Sequence, residues 1–132
     1  MPHAGQELGD GRFGLRFVRI EDDVLEMEAS YAGDGALPPE HLHPRQLERF
    51  EVLEGAFRAI VGGEERRYES GDRFEVPPAT PHQMAAVDGP ARLRWEVRPA
   101  LRTAEFFETL LTAAAGPGLL ADFADEIRLT AA

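Results

Sequence analysis

From Leu25 to Val97 the chain returns repeatedly to one pattern: apolar and polar residues alternate singly for a few positions, and a cluster containing glycine then breaks the run. The clearest cases are Leu25-Glu26-Met27-Glu28-Ala29-Ser30-Tyr31, Phe57-Arg58-Ala59-Ile60-Val61 and Ala91-Arg92-Leu93-Arg94-Trp95-Glu96-Val97. Successive side chains of a strand leave opposite faces, so each run reads as a strand with one buried face. The interruptions Gly33-Asp34-Gly35, Gly62-Gly63, Ser70-Gly71-Asp72 and Asp88-Gly89-Pro90 are strong turn formers. Gly62-Gly63 predicts a two-residue hairpin. Short strands at this spacing with no helix between them predict an all-β sandwich or barrel.

Both ends depart from the pattern. Residues 1–12 are rich in glycine and polar groups, which predicts a flexible arm or an edge segment. After residue 100 the period changes to helical. Thr103 reads as an N-cap, Phe106, Phe107, Leu110, Leu111 and Ala114 share one face, and Glu105 lies near the positive end of the dipole. Gly116-Pro117-Gly118 ends this helix, and a second short one is expected from Leu119 to Ile127. The expected organisation is an arm over 1–12, one β domain over 13–100 and a helical tail over 101–132 that covers an open end of the barrel. A chain of 132 residues is long enough for one independent core.

Composition removes several function classes. The net charge of −10 disfavours nucleic acid and anionic membrane as partners. Cysteine is absent, so disulfides and a thiol nucleophile are excluded, and a metal would be held by nitrogen and oxygen. Lysine is absent too, which removes Schiff-base chemistry. Ser30 and Ser70 are the only serines, neither in a G-x-S-x-G setting, so a hydrolase triad is not expected. The amino-terminal residues lack the charge and apolar run of a secretory signal, and no later run approaches the roughly 18 apolar residues of a membrane span. A cytoplasmic protein is expected.

The stretch HLHPRQLERFEVLEG, residues 41–55, concentrates the ligand chemistry. His41 and His43 stand at i and i+2, so on a strand both imidazoles leave the same face. Glu48 follows His43 by an odd offset that would reverse its face on a straight strand. A turn at Pro44-Arg45 allows Glu48, Phe50 and Val52 to face inward on the next strand. His82, after the loop Pro77-Pro78-Ala79-Thr80-Pro81, is the fourth candidate. Three imidazoles and a carboxylate suit one divalent transition metal, Fe, Mn, Ni, Zn or Cu, better than Ca or Mg. His3, in the arm, reads as an ordinary surface histidine, and Arg45, Arg49, Glu51 and Glu54 as solvated charge.

The segment Gly35-x5-His41-x-His43-x4-Glu48-x6-Gly55 resembles the first cupin motif at every fixed position, and Gly71-x5-Pro77-x-Ala79-x2-His82-x3-Ala86 resembles the second. The resemblance extends over about residues 13 to 98 and implies a double-stranded β-helix, or jelly roll, with His41, His43, Glu48 and His82 as metal ligands. Two positions differ from the family pattern. Ala79 replaces a usual glycine, so its loop must avoid a positive φ or accept strain; Ala86 replaces a common asparagine that is not a ligand. Some cupins use a glutamine near the metal, which makes Gln46 an extra candidate ligand, although it reads first as a solvated turn residue. Small cupins commonly form homodimers through strand edges.

Four protein ligands would leave open positions on a metal that prefers five or six, as catalytic sites do. Met27, Tyr31, Phe50, Val52, Met84 and Trp95 are candidates to line an apolar pocket for a small aromatic or enolic molecule, and each is equally a candidate for plain core. The resemblance implies an oxygenase of quercetin-dioxygenase type, with Glu48 as ligand and base. Its alternatives are a cupin isomerase or polyketide cyclase, and a non-catalytic cupin that binds a small ligand.

Overall fold

A computed structural model describes residues 1–33, 35–112 and 116–130. The described residues hold nine strands: β1 (Glu7–Gly9), β2 (Phe13–Ile20), β3 (Leu25–Tyr31), β4 (His41–Leu42), β5 (Leu47–Val61), β6 (Glu64–Glu69), β7 (Arg73–Val76), β8 (His82–Arg98) and β9 (Arg128–Leu129). Two short helices, α1 (Thr103–Leu110) and α2 (Leu119–Asp122), precede β9. All strand pairs are antiparallel; the order along one path is β1-β2-β3-β8-β4-β9, and β5 pairs with β6, β7 and β8. This is the all-β domain that the alternation predicts, in the jelly-roll form that the resemblance implies.

Strands β5 and β8 are the spine. They pair from Leu47↔Arg98 to Val61↔His82, bending where the register shifts around Glu54 and Ala56. Gly55 sits in that bend with φ +77, where an added Cβ would lie 2.7 Å from the Pro90 carbonyl oxygen and the Ala91 methyl. Only glycine meets both requirements. Opposite it, Asp88-Gly89-Pro90 does not reverse the chain as a turn. Asp88 (φ 62) and Gly89 (φ 114) stay inside β8 and bend it. Turn residues describe a local conformation, and a strand bulge uses the same one. At Gly62-Gly63 the expected hairpin is present, both glycines at positive φ between β5 and β6.

Alternation translates directly into burial. On β3, Leu25, Met27 and Ala29 are buried and meet Val97, Trp95 and Leu93 of β8, while Glu26 and Glu28 lie between them toward the outer face. The core joins these to Phe17, Phe50, Val52, Phe57 and Phe74. Phe50 stacks with Phe74 and Trp95, and Tyr68 stacks with Phe74. Each large aromatic side chain buried in this way contributes several kcal/mol, of order 3, against truncation to alanine. Edge strand β6 reads EERRYE and turns almost all of its side chains to solvent, which discourages pairing with another sheet.

Both ends add short strands to the sheet, the amino-terminal one as the edge segment that is the alternative to an arm. β1 pairs with β2 as an edge strand. Thr103 is not the N-cap of α1: Arg102 holds that position without a side-chain cap bond, and Thr103 is buried one residue inside. Phe106 and Phe107 face the core, but Leu110 is exposed and Ala114 lies outside the described residues. The second helix ends at Asp122, short of Ile127, and the chain continues into β9, which pairs with β4. Among the described residues no helix is long and apolar enough to cross a membrane.

Candidate metal centre

Three elements and two loops bring the site together. His41 lies on β4 directly opposite His82, the first residue of β8. His43 follows β4 and precedes the Pro44-Arg45 turn, and Glu48 is the second residue of β5. The loop before His82 is tied to this turn by the Ala79 N–H, which donates to the His43 carbonyl at 2.8 Å. Ala79 adopts φ 59, so the loop accepts the strain that a glycine would have avoided.

The ligand nitrogens of His41, His43 and His82 lie within 4.8 Å of one another. Their ring centroids are 4.4 to 5.2 Å apart. His43, His82 and Glu48 are buried, whereas His41 is half-buried and forms the side nearest solvent. Glu48 is fully enclosed. Its Oε1 lies 3.1 Å from His43 Nε2 and 2.9 Å from His82 Nε2, and its Oε2 accepts a 2.8 Å hydrogen bond from the Trp95 indole N–H.

Backbone carbonyls set the histidine tautomers. Each Nδ1 meets one: Pro39 for His41 at 3.1 Å, Glu126 for His43 at 2.7 Å and Thr80 for His82 at 2.9 Å. A carbonyl can only accept, so Nδ1 carries the hydrogen and each neutral ring keeps its lone pair on Nε2. His43 Nε2 and Glu48 Oε1 are then two buried acceptors face to face, and neither has a hydrogen-bond partner. A cation between them, proton or metal, removes the conflict. The spacing of Glu48 from His43 and His82 suits either a shared proton or neighbouring ligands of one metal. The donor set therefore fits a transition metal, held by the three imidazoles with Glu48 against two of them.

The local field agrees with this geometry. Burial would raise the Glu48 pKa, but His43 and His82 hold it well below the ordinary carboxylate range. Burial lowers His43, yet the Glu48 carboxylate and the Glu126 carbonyl carry it above the usual imidazole value. His41 falls to about 4, through burial first and the neighbouring His82 second. Burial and then Glu48 push the Tyr31 phenol above its normal range.

Other expected site residues take different places. Gln46 is buried, not a solvated turn residue: its amide nitrogen reaches the Pro99 and Ala100 carbonyls and Thr103 Oγ1 at 2.9, 3.0 and 2.7 Å, while its Oε1 is buried without a hydrogen-bond partner. Met27, Phe50, Val52 and Trp95 belong to the packed core, with Tyr31 and Met84 half-buried against it. Tyr31 packs edge-on to Phe13 and Phe57. Two open depressions, one beside Glu7, Arg16 and Glu28 and one beside Arg49, Glu51, Arg73 and Arg94, do not touch the histidines. Sequence reasoning misses the orienting role of Trp95 and the three carbonyls. The carbonyls leave no trace in residue types. Trp95 was open to discovery, because alternation aims it inward diagonally across from Glu48, whose partner in register is Val97.

No curated protein matches this sequence. Solved structures do. KdgF from Halomonas sp. shares 25% identity, with 71% of this chain and 86% of that one covered at a TM-score of 0.64. An RmlC-like cupin from Shewanella frigidimarina shares 24% identity over 74% of this chain and 86% of that one, at a TM-score of 0.66. A substituted form of Streptomyces PAC13 with uridine, at 18% identity, covers 71% and 74% at a TM-score of 0.59. The cupin domain family profile matches residues 27–97, which is more than half the chain and includes all three clustered histidines and Glu48. With the motifs, the jelly roll and this match in agreement, the chain belongs to the cupin family.

Proposed function

We propose that this cupin is a metal-dependent enzyme acting on a small enolic or aromatic molecule, with a quercetin-dioxygenase-like oxygenase as its leading form. The observation that supports it is the convergence of carbonyl-oriented imidazoles on a buried carboxylate, with His43 Nε2 and Glu48 Oε1 both lacking a hydrogen-bond partner. His41, His43, His82 and Glu48 would hold one divalent transition metal of the Fe, Mn, Ni, Zn or Cu group. Bound there, it would supply Lewis acidity and open coordination positions for substrate or dioxygen.

The protein's own groups divide the remaining work. Trp95 fixes one oxygen of Glu48, so proton exchange is confined to Oε1, the oxygen that faces the imidazoles. That oxygen is the base candidate for an acidic substrate C–H or O–H. The half-buried edge of His41 is the side from which a substrate would arrive. The buried Trp95 indole occupies the other oxygen of the enclosed carboxylate in place of water.

Tyr31 favours a second reading, a non-oxidative isomerase or cyclase. Burial and then Glu48 raise the pKa of its phenol, which favours the neutral form that would donate to a substrate oxygen. One experiment separates the readings. The protein is loaded anaerobically with Fe(II), Mn(II) or Ni(II), and oxygen uptake and substrate loss are followed with a flavonol and related enols. Uptake coupled to loss supports the oxygenase; loss without uptake supports the isomerase. Binding without loss leaves a ligand-binding cupin, and failure to retain any metal overturns the metal centre.

A further inference from the structure

The tail beyond the family match grips the histidine turn at both ends. His43 donates from Nδ1 to the Glu126 carbonyl at 2.7 Å, and Gln46 donates to the Pro99 and Ala100 carbonyls and to Thr103 Oγ1. The tail is in turn closed by Arg102. Its backbone N–H reaches Glu126 Oε2 at 3.2 Å, and its guanidinium reaches Glu126 Oε1 at 3.3 Å and the Asp122 carbonyl at 2.6 Å. The same guanidinium lies 4.6 Å over the Phe123 ring. Glu126 is 3% exposed, a buried carboxylate whose cation partner among the described residues is Arg102.

We infer that the Arg102–Glu126 pair is a latch that positions His43, so that tail docking and metal binding are one linked equilibrium. Closed, the Glu126 carbonyl holds the His43 hydrogen on Nδ1 and turns the Nε2 lone pair toward Glu48. Open, the ring loses the acceptor that selects its tautomer. Arg102 and Glu126 would not touch the metal; they are positioning residues for one that does. By reciprocity, a metal bound at the histidines tightens the tail by the same factor that the tail tightens the metal. The inference rests on the metal reading above.

The test uses the full chain and the variants Arg102→Ala, Arg102→Lys and Glu126→Gln, with Zn(II) as probe. Arg102→Ala leaves the Glu126 carboxylate buried without a cation and should release the tail. Chelator competition should then show Zn(II) binding weakened by about 10- to 100-fold. Amide hydrogen exchange over residues 119–130 should slow on adding Zn(II) to the parent protein, and by less in the variant. Nitrogen-15 NMR at a pH above the raised His43 value, where the ring is neutral, should show His43 as a single Nδ1–H tautomer in the metal-free parent and as a mixture in Arg102→Ala. Arg102→Lys should recover most of all three signals, and Glu126→Gln, which keeps the backbone carbonyl but loses the charge facing Arg102, should show the same losses if Arg102→Ala does not fold. Parent-like Zn(II) affinity together with a freely exchanging tail overturns the latch alone. If the parent binds no Zn(II), the metal reading falls; an unchanged His43 tautomer with the tail released then overturns the latch separately.

Discussion

On the outer faces of the barrel, Arg16–Glu28, Arg58–Glu65, Arg66–Glu64 and Arg92–Glu54 approach to between 2.6 and 2.9 Å in contact with water. Glu48 meets His82 and His43 at 2.9 and 3.1 Å with water excluded. The distances are similar and the energetics are not. An exposed pair exchanges hydration for a contact of nearly equal worth and holds two long side chains still, so its net contribution is small. A buried carboxylate must be compensated by every group around it, and removing one partner leaves an uncompensated charge. Charge on the surface can be exchanged at little cost; charge inside is retained only where it has a task.

The largest effect should follow from removing the carboxylate itself. Glu48→Ala takes the counter-charge from His43 and His82 and should destabilise the metal-free protein by about 3 kcal/mol in urea unfolding. Its Zn(II) affinity should fall by about 100-fold or more, beyond the loss of an outer partner. Unchanged affinity would make Glu48 a counter-ion to the histidines and not a ligand, an outcome with some structural basis because it contacts two of the three. Trp95→Phe comes next. It keeps an aromatic ring between Phe50 and Phe107 but leaves Glu48 Oε2 without its donor, which should cost about 2 kcal/mol. A midpoint shift no larger than that of a surface variant would mean the indole only fills space.

How much of this was open to a reader of the sequence depends on the range of each signal. His41, His43 and Glu48 lie within eight consecutive residues, and strand period plus one proline turn suffices to bring them to one side. The hairpin at Gly62-Gly63 and the need for unusual backbone at Ala79 are equally local. Asp88-Gly89-Pro90 shows the limit of local reading, since its residues permit a bend without saying whether the chain reverses or continues. Contacts across the fold were out of reach: Gln46 to Thr103 and His43 to the carbonyl of Glu126 join residues 57 and 83 positions apart. Thr103 looked like a cap because its hydroxyl could serve one, and Gln46 was the partner that took it.

Acidity should separate the two kinds of pair without any substitution. His43 is raised above 6.5 in the fold, so its contribution is complete below that pH and is lost as pH rises through the folded value. Glu48 is lowered, so its contribution is present above 4.5 and is lost as pH falls. His41, lowered to about 4, resists charging, so stability also declines as pH drops from 6.5 toward 4. Metal-free protein should therefore be most stable near pH 6.5, whereas Zn(II) affinity should rise with pH through the same region as His43 gives up its proton. Thermal midpoints across pH 4 to 9, with chelator and with excess Zn(II), would read both curves. A metal-free curve that keeps climbing above pH 7 would remove the shared proton from His43 and Glu48.

The backbone carries the same contrast at lower energy. Ala79, at φ 59 beside the histidines, holds a conformation that costs a non-glycine residue about 1 kcal/mol. Ala79→Gly should raise stability by roughly that amount, less the extra freedom glycine gains in the unfolded chain. Zn(II) affinity should stay the same, because the His43 carbonyl still receives the residue 79 N–H. Weaker Zn(II) binding would instead show that the methyl group helps seat the loop before His82.

The smallest effect is expected at Arg58, on the surface side of the comparison. Its guanidinium reaches Glu65 at 2.8 Å, yet in register Arg58 sits directly across from Arg67. Like charges opposite one another on a sheet repel, so removing Arg58 gives up one exposed attraction and relieves one exposed repulsion. Arg58→Gln keeps the stem that covers the neighbouring apolar surface, and its thermal midpoint should match the parent's within error. Raising the salt concentration should move the two proteins together, since a screened pair has little left to screen. A drop of several degrees at low salt that vanishes at high salt would mean the outer Arg and Glu residues act as a network. The surface would then owe its stability to charge as the histidine end does, and the distinction between them would be one of screening rather than of task.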